Sequence, residues 1–270
     1  MGGYEYPREK GVLPLPLGGI MMIETTIIEK DGFGKLKNPV MITGLPGIGL
    51  VGQVVAKYMI KKMGGKKMAD LYSPHFPHQV LMTKKGGMRL LKNKFYLIKV
   101  KERDLVLVVG DVQAITGQGQ YEVAGKILDF VQKHKIKMVI TLGGYSSGKM
   151  SGPKKVFAAS NNEKTKNKYK DMFVFGEAKG TIVGVAGLLP ALAHVRGLDA
   201  MCIMGETHGS YVDPSAATAV IEKLSKLFGF KVDLAQLEAE AKEREKVIKK
   251  IESEIEKQAT GEKKDITYIR

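Results

Sequence analysis

Tryptophan is absent from this chain, cysteine occurs once, and no apolar run approaches the ~18 residues that a membrane-spanning helix needs. The lone cysteine, Cys202, can form no internal disulfide and no cysteine-based zinc site, which points to a reducing compartment. The first ten residues place Glu5, Arg8, Glu9 and Lys10 ahead of a short Leu-Pro run, unlike a secretory leader. A cytoplasmic protein that does not enter membranes is expected. His75, His78, His134, His194 and His208 are scattered rather than set at ligand spacing, so no metal is expected.

Lysine is abundant. Lys and Arg total 43 against 28 Asp and Glu, a formal net charge of +15. Residues 231–257 carry seven basic and eight acidic side chains, so the excess belongs to the first 230 residues. Such a charge makes nucleic acid the first partner to consider. The lysines, however, recur as pairs at 61–62, 66–67, 84–85 and 154–155 rather than as a stripe interleaved with aromatics. No nucleic-acid-binding signature accompanies them, so acidic proteins are the expected partners and nucleic acid is not.

The chain has 270 residues, 44% of them hydrophobic, which is enough for a sizeable core in one or two domains. Residues 1–19, with Pro7, Pro14 and Pro16, read as an extended arm. Residues 20–230 form an α/β core domain. A first β-rich run at 20–29 precedes a strand at 40–43, a glycine loop at 44–52 and a helix over 50–63 that stops at Gly64-Gly65. Strands are predicted at 80–83, 95–100 and 105–110, then a helix over 121–134 and a continuous apolar strand at 138–142. Two further units follow, a strand at 181–185 with a helix at 188–195, and a strand at 200–204 with a helix at 214–228. Alternation of this kind predicts an α/β/α sandwich with a mostly parallel sheet. Over 231–258 Leu234, Leu237, Ala241, Ile248, Ile251 and Ile255 give one apolar seam, with Arg244 at the position that breaks it. This amphipathic helix needs a neighbouring helix or subunit to cover it. Residues 259–270 form a polar, flexible tail whose only apolar groups are Ile266, Tyr268 and Ile269.

Three segments carry candidate chemistry. Gly47, Gly49 and Gly52 spell G-x-G-x-x-G between a strand and a helix, the context of a dinucleotide-binding turn, and Asp70 stands where a ribose ligand is expected. The same glycines also serve a tight strand-to-helix turn, and that structural reading is preferred. Residues 143–149 spell G-x-x-x-x-G-K, but Met150 replaces the Ser or Thr that reaches magnesium and Pro153 opens no helix. They read as a glycine-rich loop containing Gly144 and Tyr145. Glu206 and His208 follow a strand at what is predicted to be the sheet's carboxyl edge, while Asp213-Pro214 reads as a helix cap. Ser146, Ser147 and Cys202 have no paired base in the sequence.

The motifs G-L-P-G-I-G-L-V-G at 44–52, T-L-G-G-Y at 141–145, G-L-L-P-A-L-A at 187–193, G-E-T-H-G at 205–209 and D-P-S-A-A at 213–217 occur together. In this combination the chain resembles the archaeal proteasome assembly chaperone family, homologues of the eukaryotic proteasome assembly chaperones, over most of residues 20–258. The resemblance implies a fold related to nucleoside phosphorylases and a homo-oligomer, with a paralogue as a further partner. It also implies ATP-independent, cofactor-free and non-enzymatic binding to proteasome α subunits of the 20S α-ring. Some relatives dock by a C-terminal hydrophobic–Tyr–any tripeptide, and on that likeness Tyr268, Ile269 and Arg270 are the expected partner-binding residues. The register departs from the pattern, since Ile269 stands where the tyrosine is expected. The competing reading is a small-molecule or nucleotide-binding enzyme whose pocket uses Gly47, Gly49, Gly52, Gly144, Tyr145, Glu206 and His208.

Overall fold

The computed structural model describes residues 24–148, 152–237 and 239. The predicted arm at 1–19, the larger part of the predicted helix at 231–258 and the tail at 259–270 lie outside the described residues.

Strands β1 (Thr26–Glu29), β2 (Val40–Gly44), β3 (Lys66–Tyr72), β6 (Asn93–Val100), β7 (Arg103–Gly110), β8 (Met138–Ser146), β9 (Val156–Ser160), β10 (Val174–Phe175) and β11 (Asp199–Thr207) share one sheet; β4 (Val80–Met82) and β5 (Met88–Leu90) make a separate hairpin. The helices are α1 (Val51–Lys62), α2 (Gly117–Lys133), α3 (Glu163–Tyr169), α4 (Val185–Val195) and α5 (Pro214–Phe228). The large sheet runs β1-β3-β6-β7-β2-β8-β11-β9-β10. Its centre, β7-β2-β8-β11, is parallel throughout, while β6, β3 and β1 continue it antiparallel on one side. On the other side β9 is antiparallel to β11 and β10 parallel to β9.

The central strands read as unbroken apolar runs because both faces are covered. Along β2, Val40 and Ile42 face α1 and α5, and Met41 faces α2 and α4. Along β7, Leu105, Leu107 and Val109 take the first face, and Val106 and Val108 the second. The result is an α/β/α sandwich with two cores. Helix ends follow local chemistry. Asp213 caps α5 by accepting from the Ala216 N–H at 3.0 Å, with Pro214 in the first turn and Gly229 in the left-handed conformation at the end. The predicted cap at Asp213 and the predicted stop of α1 at Gly64-Gly65 are both present.

Four local readings need correction. The strand predicted at 181–185 is not formed: Val185 opens α4, and residues 181–183 have no regular structure. They lie between Gly180 and Gly184, both at positive φ (105° and 74°), and no neighbouring strand accepts them. The place at that sheet edge is taken by β9 and β10, which were not predicted. The region 143–146 is the end of β8 rather than a loop, because Gly143 to Ser146 pair with Met204 to Thr207 of β11. Lys66–Tyr72 is strand β3, hidden from the sequence by a bulge between Lys67 and Ala69 that breaks the two-residue period.

The start of the C-terminal segment docks on the body. Leu237 is buried, Leu234 packs beside it on the α1/α5 core, and the Tyr58 hydroxyl donates to the Asp233 carbonyl at 2.7 Å.

Candidate functional site

Strands β2 and β8 end at the same edge of the parallel centre, and the glycine motif forms the turn there. Gly49 has φ 60°, which disfavours a side chain, and a Cβ at that position would stand 2.9 Å from Thr207 Oγ1. A Cβ on Gly52 would strike the Leu142 carbonyl, and one on Gly144 would strike the Ile48 carbonyl. The glycines therefore let α1 and its lead-in turn lie directly on the ends of β8 and β11. The opening residues of α1, Val51, Gly52 and Gln53, are buried, and the Gly49 carbonyl accepts from the Asp213 N–H at 3.2 Å. Asp70 is not near this turn. It lies in β3, with β6 and β7 between it and β2, and pairs with Lys67 at 2.6 Å and Lys92 at 2.9 Å. The ribose role considered for Asp70 needs adjacent strands, and the antiparallel β6–β7 insertion removes that adjacency.

Beside the turn opens a cleft of about 790 Å³, lined by Gly47, Gly52, Gly144 and Tyr145 together with Gln113, Gln120, Met204 and the segment 175–186. Gln113 ties its walls together, donating to the Pro46 carbonyl at 2.5 Å and accepting from the Val185 N–H at 3.0 Å. Gln120 donates to the Ala114 carbonyl at 2.6 Å, and its Oε1 is buried with no hydrogen-bond partner among the described residues. Tyr145 packs edge-on against Phe157 at 4.8 Å and accepts from the Lys179 N–H at 3.4 Å. Of the seven residues expected to share a pocket, these four line one cleft, and Gly49, Glu206 and His208 stand outside its lining.

Glu206 and His208 belong to a polar cluster between β11 and α5. The Glu206 carboxylate accepts from the Lys155 N–H at 3.0 Å while its own N–H donates to the Lys155 carbonyl at 2.9 Å. His208 Nδ1 accepts from the Ser210 N–H at 3.1 Å, its ring lies 3.7 Å from that of Tyr211, and its Nε2 stands 3.9 Å from Asp213. Lys154 Nζ reaches the same Asp213 carboxylate at 3.3 Å, with both side chains almost wholly buried. Burial pushes the Asp213 carboxyl up, but the Ala216 N–H, the Thr207 hydroxyl and the Lys154 charge outweigh it and hold the pKa below its ordinary value. The cluster clamps the approach to β9 onto the α5 cap. The candidate nucleophiles are likewise engaged: Ser146 Oγ donates to the His208 carbonyl at 3.1 Å, and burial pushes the Cys202 thiol up to about 11. Among the described residues no three His, Cys, Asp or Glu side chains converge on a metal-sized space.

The sequence reading missed Gln113, Gln120 and Lys154. The first two follow the end of β7, so the rule that crevices form at carboxyl edges of parallel strands was the available signal. Lys154 carries no such signal, since its neighbour Lys155 has the same side chain and stays exposed.

Residues 41–252 match the model of the PAC2 family. An uncharacterized protein of Methanocaldococcus jannaschii is 36% identical over 241 residues, covering 87% of this chain and 93% of that one. The crystal structure of Pyrococcus furiosus PbaB, an archaeal proteasome activator, superposes with a TM-score of 0.76 at 40% identity over 85% of this chain and 99% of PbaB. That of Pyrococcus furiosus PbaA, an archaeal homolog of proteasome-assembly chaperone, gives 0.71 at 25% identity over 87% and 99%. The motifs at 44–52, 141–145, 187–193 and 205–217 lie inside the matched span, and the chain belongs to the PAC2 family.

Proposed function

We propose that this chain is a non-enzymatic proteasome assembly chaperone or adaptor that binds the 20S α-ring without ATP, as a homo-oligomer in a cytoplasmic setting. The observation that carries the reading is its likeness to PbaB, a proteasome activator, at 40% identity over 99% of that chain. PbaA, a homolog of proteasome-assembly chaperone, supports the assembly side of the role. The state of the candidate nucleophiles agrees with it, since Cys202 is buried and protonated and Ser146 is spent on a backbone carbonyl. Tyr268, Ile269 and Arg270 are proposed as one contact, an aromatic ring with a hydroxyl beside a guanidinium that can pair with an acidic rim through charge-assisted hydrogen bonds.

Surface plasmon resonance on an immobilised archaeal 20S particle tests this directly. The full chain is expected to bind, and deletion of Tyr268–Arg270 to weaken binding while light scattering gives an unchanged oligomer mass. No binding by the full chain at concentrations of order 100 μM, a Kd limit of ~5 kcal/mol, overturns the role. One observation favours a second reading, a small-molecule site: the cleft of about 790 Å³ is lined by Gln120, whose buried Oε1 has no partner among the described residues. A nucleotide panel read by thermal shift separates the two, because free ligand at 100 times its Kd stabilises the fold by roughly 2.7 kcal/mol.

A further inference from the structure

The β4–β5 hairpin stands apart from the large sheet: among the described residues its two strands pair with each other and with no third strand. Val80 lies opposite Leu90 and Met82 opposite Met88, so alternation puts these four side chains on one face. They are 52%, 49%, 85% and 76% exposed in that order. The other face is anchored. Leu81 packs on the core under α2, and Arg89 grips Asp111 through two hydrogen bonds of 2.6 and 3.1 Å. The turn is closed by the Thr83 N–H donating to the Gly87 carbonyl at 2.8 Å and the Gly87 N–H donating to Thr83 Oγ1 at 3.0 Å. A short two-stranded unit is marginal alone, so the anchored face fixes the hairpin while its apolar face points outward. A contiguous apolar patch of this kind marks an interaction surface, and unbranched methionines adapt to the shape of a partner.

The charge around the patch selects the occupant. Residues 73–101 contain seven Lys and Arg and no Asp or Glu. Lys84 and Lys85, at the turn, make no ion pair among the described residues. Of the other five, Arg89, Lys92 and Lys99 are paired with Asp111, Asp70 and Asp104, so a second copy would set Lys84 and Lys85 against their own kind, which is repulsive. An acidic rim would be attracted. We propose that the hairpin is a docking face for a protein offering an apolar pocket with an acidic rim, and, resting on the function proposed above, that this protein is the 20S α-ring.

The test uses the full chain against an immobilised archaeal 20S particle, with circular dichroism and light scattering on every variant. Met82→Ser/Met88→Ser is expected to weaken binding about tenfold or more through faster dissociation. Lys84→Glu/Lys85→Glu is expected to slow association and flatten its salt dependence. Val195→Ser, which changes an exposed apolar side chain on α4, is expected to bind as wild type. Wild-type affinity in both hairpin variants overturns the inference, as does a smaller oligomer in Met82→Ser/Met88→Ser, which would make the hairpin a self-contact. If the wild-type chain itself fails to bind, the proposed function fails and the partner named here falls with it. If the wild type binds and the hairpin variants match it, only the hairpin assignment is lost.

Discussion

Strands β7, β2, β8 and β11 are covered by helices on both faces, whereas β1, β3 and β6 are covered fully on one face only. In the centre, close backbone approach at Gly44, Gly52 and Gly144 replaces side chains, and the ionisable groups gather at the strand ends. In the wing, the face turned away from α2 carries Asp70 with Lys67 and Lys92, the Lys92–Tyr72 hydrogen bond of 3.0 Å, and Lys94. Burial pushes the Lys94 ammonium below its ordinary pKa, with the attraction of Asp111 opposing it. Parallel strands need crossover helices and so end up doubly buried, while antiparallel strands can leave one face polar. The centre therefore builds the cleft, and the wing, with its hairpin, offers surface.

The largest effects probe whether the two regions unfold together. Phe95 in β6 and Leu107 in β7 are both fully buried, and Phe95 packs on Phe130 with ring centroids 4.6 Å apart. Phe95→Ala and Leu107→Ala are each expected to cost about 3–5 kcal/mol, read as lower urea midpoints with unchanged m-values. A separate early transition in Phe95→Ala alone would split the wing from the centre. Gly52→Ala comes next, at about 1–3 kcal/mol, because its Cβ meets the backbone of β8 rather than a movable side chain. The same substitution tests the cleft. A nucleotide-induced thermal shift present in wild type and lost in Gly52→Ala would turn the glycine turn from a packing device into a binding one.

What the sequence made legible follows the same division. The centre was readable because doubly buried strands are unbroken apolar runs, such as 138–142, and because Asp213-Pro214 is a local capping signal that needs no tertiary knowledge. The wing was harder. Lys66–Tyr72 opens on two lysines and breaks its period at a bulge, and Met88–Leu90 is three residues long. At 181–183, a Thr-Ile-Val run has strand-forming side chains but no strand to pair with, since β-propensity acts only through a neighbour. The cleft was half legible: its glycines announce themselves, but Gln113 links Pro46, 67 residues before it, to Val185, 72 residues after it, and no local pattern encodes such a contact.

The finest comparison sets two buried carboxylates side by side, one holding the hairpin of the wing and one capping a helix of the centre. Asp111, which follows β7 and holds Arg89 of the wing's hairpin, is pushed up by burial, but the hydrogen bonds and charge of Arg89 hold its pKa below the ordinary value; Asp213, in the centre, is lowered against the same desolvation by Ala216, Thr207 and Lys154. A carboxylate with a depressed folded pKa contributes stability that is present above its unfolded pKa, near pH 4, and is lost as pH falls through the folded value. Asp111→Asn and Asp213→Asn should therefore each flatten the loss of stability below about pH 4, measured by urea denaturation from pH 6 to 2.5. At neutral pH the two should differ. Asparagine keeps the cap that Asp213 makes to Ala216 but removes the charge facing the almost wholly buried Lys154, so Asp213→Asn is expected to cost about 3 kcal/mol. Asp111→Asn gives up a bidentate pair whose arginine is a third exposed and should cost less, about 1.5–2 kcal/mol. Equal losses would mean that Lys154 holds Asp213 as firmly as Arg89 holds Asp111, and that the centre and the wing are tied down by ion pairs of the same strength.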